Sequence, residues 1–371
     1  MTLQKPLFRA DHVGSFLRPQ KIKDARRKLF DEKVISNHDL NLIENDEIDS
    51  IIKTQEELGF KIVTDGEFRR SWWHYDFIEG LEGFELEERE KGVQFAGTNL
   101  RPIFPVIKKK LNFPNSHPML EHFKYVVSKT KVTPKISIPG PSCCHFRTTP
   151  EDIHVSDYKD NENLFFDISQ TFKKAVKAFY DAGCRYLQMD DIFFAYLCDP
   201  KHRSTREKYG ENPDELIGKY AKLLNDSIKD RPSDMTIAIH LCRGNFKSTY
   251  AAEGGYDPVA DAVFNKTDVD LFFLEYDSDR SGGLEPLKYF PKGNKRVLPG
   301  FISTKFGKLE TLDELKYLFD EASKYVDINQ MGIAPQCGFS STEEGNSISF
   351  DDQNRKLELV IKTAEYIWNE V

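Results

Sequence analysis

Thr236-Ile-Ala-Ile-His-Leu-Cys242 is a short run of apolar and β-branched residues that closes on an imidazole and a thiol. Nearly continuous apolar character over so few residues is the pattern of a strand covered on both faces, as in a parallel sheet. Side chains two apart on a strand point the same way, so His240 and Cys242 leave this strand on one side. Runs of the same shape recur at 8–15, 61–67, 135–139, 185–191, 271–276, 296–303 and 328–335, most of them ending in polar or acidic residues. Helical patterns lie between them. Strands alternating with helices imply parallel βα units, and eight such units predict an α/β fold of the TIM (β/α)8 barrel type with insertions.

The helices carry their own punctuation. Residues 37–58 place Leu40, Ile43, Ile48, Ile51, Ile52 and Leu58 at mostly helical spacing between Ser36 as N-cap and Gly59 as the residue after the C-cap. A second helix over 164–182 stops at Gly183, and Asn212-Pro213 opens a third in cap-then-proline order. Thr311-Leu-Asp-Glu314 is a capping box, and a last helix runs over about 351–369. The stretch 80–132, between the second and third strands, breaks the rhythm. Its alternation at 83–87 and 92–96 predicts a β-hairpin, and it lacks a core of its own size. We therefore expect it to be an insertion within one barrel domain spanning 1–371. Lys108-Lys109-Lys110 inside it reads as a solvated charge run.

Composition narrows the function. The 371 residues include 52 basic and 60 acidic side chains, a formal net charge of −8, which argues against nucleic acid as a partner. With 39% hydrophobic and 30% charged residues the chain is an ordinary globular one. Residues 1–12 lack a signal-peptide core, and no apolar run is long enough to cross a membrane. Six cysteines are too few for a disulfide scaffold, so reduced thiols in a cytoplasmic protein are expected.

In a barrel of this type the active site lies at the C-terminal strand ends. The polar residues there are His12 and Ser15, Asp65 and Glu67, Ser142, Asp190 and Asp191, His240 and Cys242, Glu275 and Asp277, Ser303 and Lys305, and Cys337. His240, Cys242, Glu275 and Cys337 together offer an imidazole, two thiolates and a carboxylate, a tetrahedral set that favours Zn2+ over magnesium or calcium. The competing reading makes His240 and Cys242 packing residues and Cys337 an inert thiol. Placement at three strand ends favours the metal. Cys143 and Cys144 are expected to line a pocket, Cys184 and Cys198 to be structural. His74, His117, His122 and His202 show no partner pattern.

His12-Val-Gly-Ser-Phe16, Asp65-Gly-Glu67, Leu187-Gln-Met-Asp190, His240-x-Cys242, Glu275 and Pro335-Gln-Cys-Gly338 resemble, in order and strand position, the C-terminal catalytic barrel of cobalamin-independent methionine synthase. Phe68-Arg-Arg-Ser-Trp-Trp73 and Cys242-Arg-Gly-Asn245 look like single-barrel bacterial homologues. The resemblance covers nearly the whole chain. It implies a zinc-dependent methyltransferase that moves a methyl group from N5 of a methyl-tetrahydrofolate to the homocysteine thiol, giving methionine. By the same resemblance Glu67 and Asp190 hold the homocysteine amino group and Ser15 its carboxylate.

Three features depart from the family pattern. Where the family has Asp-x-His after strand seven, with the histidine protonating the leaving amine, this chain has Ser303-Thr-Lys305. Lys305 can take that role only with a pKa lowered toward neutrality. The folate-stacking tryptophan after strand three is not evident in Gly140-Pro-Ser-Cys-Cys-His-Phe146, leaving Trp72, Trp73 or Phe146 as stacking faces. The chain also lacks the N-terminal barrel of the long synthases. The alternatives are a zinc alkyltransferase for another thiol, one that takes its methyl group from a corrinoid protein or an S-methyl compound, or a non-catalytic zinc-storage protein.

Overall fold

Burial is continuous along the short apolar runs, which is why they pair as parallel strands. The computed structural model describes residues 5–90, 92 and 94–371. Its strands are β1 (Ile62–Val63), β2 (Glu82–Glu88), β3 (Gln94–Phe95), β4 (Thr98–Asn99), β5 (Ile103–Asn112), β6 (Thr133–Pro139), β7 (Tyr186–Asp190), β8 (Thr236–Leu241), β9 (Leu271–Glu275) and β10 (Arg296–Gly300). One six-stranded parallel sheet runs β1-β6-β7-β8-β9-β10.

The two remaining runs, 8–15 and 328–335, contribute isolated parallel bridges instead of strands. Val297 bridges Met331, Ile302 bridges Pro335, and Ile333 bridges Ala10. Both segments resist regular pairing for local reasons. Pro335 has no N–H to give, Gly14 sits at φ 122°, and the Asp11 carboxylate takes the His12 N–H at 2.7 Å. Thr64 Oγ1 donates to the Gly14 carbonyl at 2.6 Å, and the Phe16 N–H to the Gly66 carbonyl at 3.1 Å, so the N-terminal segment also touches the loop after β1. The architecture is α/β with a parallel sheet, consistent with a barrel.

Between β1 and β6 the pairing differs from the simple hairpin expected. β2 pairs antiparallel with β5, with Phe84 opposite Ile107 and Leu86 opposite Pro105, while β3 pairs with β4. The expected strands at 83–87 and 92–96 thus fall in different ribbons, the second only as Gln94–Phe95 with residue 93 outside the described residues, because the longer, partly buried β5 offers Phe84 an apolar partner. The lysine run is spent on surface pairs, Lys108 with Glu87 at 2.7 Å and Lys110 with Asp157 at 3.2 Å.

The helices start where their caps lie. Ser36 and Asp39 form a capping box on Asn37–Glu57, Thr311 and Glu314 one on Leu312–Ala322, and Ser349 and Asp352 one on Phe350–Trp368. Asn212 caps Pro213–Ile228. The helix expected over 164–182 begins earlier, at Asn161, because the Asp160 carboxylate caps it. All six cysteines are free and buried. Among the described residues no helix is long and apolar enough to cross a membrane.

Candidate active site at the strand ends

Asp190 and His240 are register partners on β7 and β8, which sets His240 Nδ1 3.2 Å from Asp190 Oδ1. Cys242 follows on the same side, and Cys337 arrives from the loop after Pro335. One donor atom from each of His240, Cys242 and Cys337 lies within 4.8 Å of the others, and all three residues are buried. Burial pushes the His240 pKa down, but Asp190 and the Cys337 sulfur outweigh it and raise it to about 10. The two thiols divide unequally: their mutual hydrogen bond and burial hold the proton on Cys242. At Cys337, burial is overcome by hydrogen bonds from Cys242 and His240, which favour the thiolate. Two soft sulfurs and one imidazole converging in a buried site are the donor set of a zinc-type ion.

Glu275 stands outside that mutually close group. Its carboxylate takes the Arg243 N–H at 2.9 Å and two guanidinium bonds from Arg280, at 2.9 and 2.5 Å. Burial is outweighed there by Lys305, Arg280 and Arg243, so the carboxyl stays below its usual pKa. Asp277 shares Arg280 at 2.7 Å and accepts from Ser303 Oγ at 2.7 Å.

The second cluster expected at the rim also assembles. The turn Asp65-Gly66-Glu67 places two successive residues at positive φ, Gly66 at 69° and Glu67 at 59°. A non-glycine residue in that region is held against a local cost, a pattern that gathers at functional positions. Glu67 Oε1 accepts from Ser137 Oγ at 2.8 Å, and Arg70 lies 3.7 Å away. Glu67 Oε2 is buried without a partner. Burial raises its pKa, Arg70 pulls it back, and Asp190 adds to the rise. Ser15 lies against the loop that carries Cys337: a Cβ on Gly338 would fall 1.8 Å from Ser15 Oγ, so only glycine lets that loop close in.

Ser15, Glu67, Asp190, His240, Cys242 and Cys337 all line one cavity. Trp72 and Trp73 line it too, whereas Phe146 packs on Phe193 instead. Cys143 and Cys144, expected as lining, are sealed in the short helix Ser142–Phe146 and do not border the cavity. The same lining contains Trp72, His74, Arg147 and Tyr196, whose indole N–H, both ring nitrogens, Nε and hydroxyl are buried without partners.

Lys305 does not border this cavity. Its ammonium donates to the Gly244 carbonyl at 3.0 Å, Asn245 Oδ1 at 3.1 Å and the Thr249 carbonyl at 3.0 Å. All three protons are thereby committed to the loop after β8, and Asn245 passes the restraint on through its Nδ2 bond to the Gly338 carbonyl at 2.8 Å. Lys305→Met is therefore expected to cost about 2 kcal/mol or more in chemical denaturation, since hydrogen bonds from a charged group are worth roughly 1.5–3 kcal/mol. It is also expected to open residues 243–249 to limited proteolysis.

Reading the strand ends alone missed several groups. Gln188 is two residues before Asp190 and so shares its face, and Lys135 is a lone charge in an apolar run. Both signals were available in the pattern. His74, Arg147 and Tyr196 gave none, since they meet only in three dimensions.

The catalytic-domain model of the cobalamin-independent synthases matches residues 8–351. The Bacillus subtilis protein YxjG, itself uncharacterised, is 45% identical over 98% of this chain and 96% of its own. Methionine synthase of Sulfurisphaera tokodaii is 26% identical over 90% of this chain and 86% of its own. A Listeria monocytogenes structure assigned to the vitamin-B12-independent methionine synthases superposes with TM-score 0.78 at 37% identity, over 98% of this chain and 99% of that one. A Shewanella B12-independent methionine synthase, solved with selenomethionine, has the same fold at TM-score 0.74 and 21% identity, over 98% of both chains. With a family model covering most of its length and its motifs gathered around one cavity, the chain belongs to the cobalamin-independent methionine synthase family.

Proposed function

We propose that the protein is a zinc-dependent methyltransferase that converts homocysteine to methionine, with a methyl-tetrahydrofolate as donor. The observation that carries the reading is the convergence of His240, Cys242 and Cys337 on one wall of the cavity that Glu67, Asp190 and Ser15 also line. These three residues would hold the ion, with Glu275 as a fourth, exchangeable donor once it leaves Arg280. A bound zinc ion lowers the pKa of a substrate thiol so that it reaches the reaction as thiolate. Glu67 and Asp190 would hold the substrate ammonium, which needs a counter-charge in a buried site, and Ser15 its carboxylate. The selenomethionine in the Shewanella structure is a selenium analogue of the product proposed here.

The wall made by Trp72, His74, Arg147 and Tyr196 bears on the donor. It presents N–H and O–H groups without partners and a guanidinium, which suits an acceptor-rich donor without positive charge. A sulfonium donor would face that guanidinium unfavourably, so an S-methyl compound is the weaker alternative. Lys305 remains the residue at the family's acid position; if it donates the proton to the leaving amine, it must first leave the loop carbonyls. The fold in this reading is a complete (β/α)8 barrel over 1–371 with 80–132 as insertion, in a cytoplasmic enzyme of small-molecule substrates.

The test is direct. Purified protein is expected to contain about one zinc per chain and to release a proton on homocysteine addition, with a new metal–sulfur signature. Methyl-folates with one or several glutamates, methylcobalamin and S-methylmethionine are then compared as donors. Zinc-free protein, or zinc indifferent to homocysteine, would sink the proposal, and turnover with methylcobalamin alone would replace the donor.

A further inference from the structure

Contacts that orient His240 start two rungs down the sheet, at a buried lysine. Lys135 has no exposed side-chain surface, and its ammonium donates to Asp11 Oδ1 at 2.6 Å, to Gln188 Oε1 at 3.1 Å and to the His12 carbonyl. Asp11 is likewise buried and takes the Tyr186 hydroxyl on its other oxygen. An ammonium can only donate, so the Gln188 amide must turn its oxygen to Lys135 and its NH2 the other way. That NH2 donates to the Val13 carbonyl at 2.9 Å and to Asp190 Oδ1 at 2.7 Å. Flipping the amide would set NH2 against NH3+, and oxygen against both a carbonyl and a carboxylate.

The same Asp190 Oδ1 faces His240 Nδ1 at 3.2 Å. A carboxylate only accepts, so Nδ1 must carry a proton; Nε2 lies 3.2 Å from the Gln336 carbonyl, and it is the nitrogen that would exchange its proton for a metal ion. We infer that Lys135 and Gln188 are positioning residues that act through Asp190 to assign Nε2 of His240 as its metal-binding nitrogen. The inference rests on the metal reading of His240, Cys242 and Cys337. It adds a layer behind the ligands, where loss of a partner typically costs about 10–100-fold in metal affinity.

The test loads the protein with an NMR-active cadmium isotope and reads which isotope-labelled nitrogen of His240 couples to it. Two variants relax the relay without stranding a charge. Gln188→Leu removes the amide at similar size, and the double variant Asp11→Asn/Lys135→Met removes both members of the buried pair together. Wild-type protein is expected to show one Nε2-coupled signal. Both variants are expected to bind cadmium about 10-fold more weakly, as for other residues behind metal-bound histidines, and to show a second or Nδ1-coupled signal. A merely structural role would lower the melting temperature and leave the coupling pattern alone, and that result overturns the inference. Sharp Nε2 coupling with affinity within about two-fold of wild type overturns it as well. Wild-type protein without coupling to His240 or to the cysteines overturns the metal reading itself, and this inference with it.

Discussion

Cys242→Ser is expected to leave the fold intact and abolish metal retention, with affinity lowered by at least about 100-fold and turnover lost. The estimate follows from the residues behind ligands, whose loss alone costs roughly 10–100-fold; a ligand itself must cost more. Serine matches the volume of cysteine closely, so packing around this buried site changes little. Its hydroxyl, however, is a hard and very weakly acidic donor where a soft thiolate is needed. The metal-free pair makes the point sharper. Cys242 holds the proton and Cys337 the charge, so binding an ion removes the Cys242 proton, besides one from the His240 imidazolium, and leaves both sulfurs as thiolates. Serine cannot give up that proton near neutrality. The check is metal content after dialysis, beside a denaturation curve. Full zinc retention by Cys242→Ser would remove Cys242 from the ligand set, and with it the zinc chemistry proposed here.

Glu67→Gln is expected to separate activity from stability. One Glu67 oxygen is bound by Ser137, while the other is buried and unpartnered beside Asp190 in the cavity. That is a position awaiting a cationic donor. Removing one member of a buried, hydrogen-bonded charge pair costs about 2–5 kcal/mol, so kcat/KM for homocysteine should fall by roughly two orders of magnitude or more. The thiol analogue without an amino group should react equally poorly with both proteins, which ties the loss to the ammonium. Stability should move the other way. Burial, with Asp190 adding, raises the Glu67 pKa above its ordinary value, so its contribution to stability is present at low pH and lost as pH rises through the folded value. Above that folded value the charged carboxylate is therefore a net burden on the fold, and the neutral glutamine should hold or raise the melting temperature there. Because Glu67 protonates above the usual carboxylate range, wild-type kcat/KM should also fall on acidification before an ordinary glutamate would take up its proton. A destabilised Glu67→Gln protein with unchanged KM would assign this residue to the scaffold.

Local periodicity made a large share of this protein legible. A strand repeats its side-chain direction every two residues, so Thr236-Ile-Ala-Ile-His-Leu-Cys242 already placed His240 and Cys242 on one side. Caps such as Ser36, Thr311 and Asn212 marked helix starts, because their side chains bond backbone groups only two or three residues away. Position alone was less informative for the runs at 8–15 and 328–335, where glycine, proline and a self-bonding aspartate reduce strands to single bridges.

What no local pattern could supply was the choice among competing partners. Cys337 meets His240 and Cys242 only because the chain returns to the sheet. Glu275 is at its expected strand end, yet Arg280 and the Arg243 N–H hold its carboxylate, and Lys305 spends its protons on three loop acceptors. β2 likewise chose the distant β5. Each of these outcomes depends on which buried donor finds which acceptor across the fold. That is settled by the cost of leaving polar groups unpaired, a sum taken over the whole interior and invisible to any short stretch of chain.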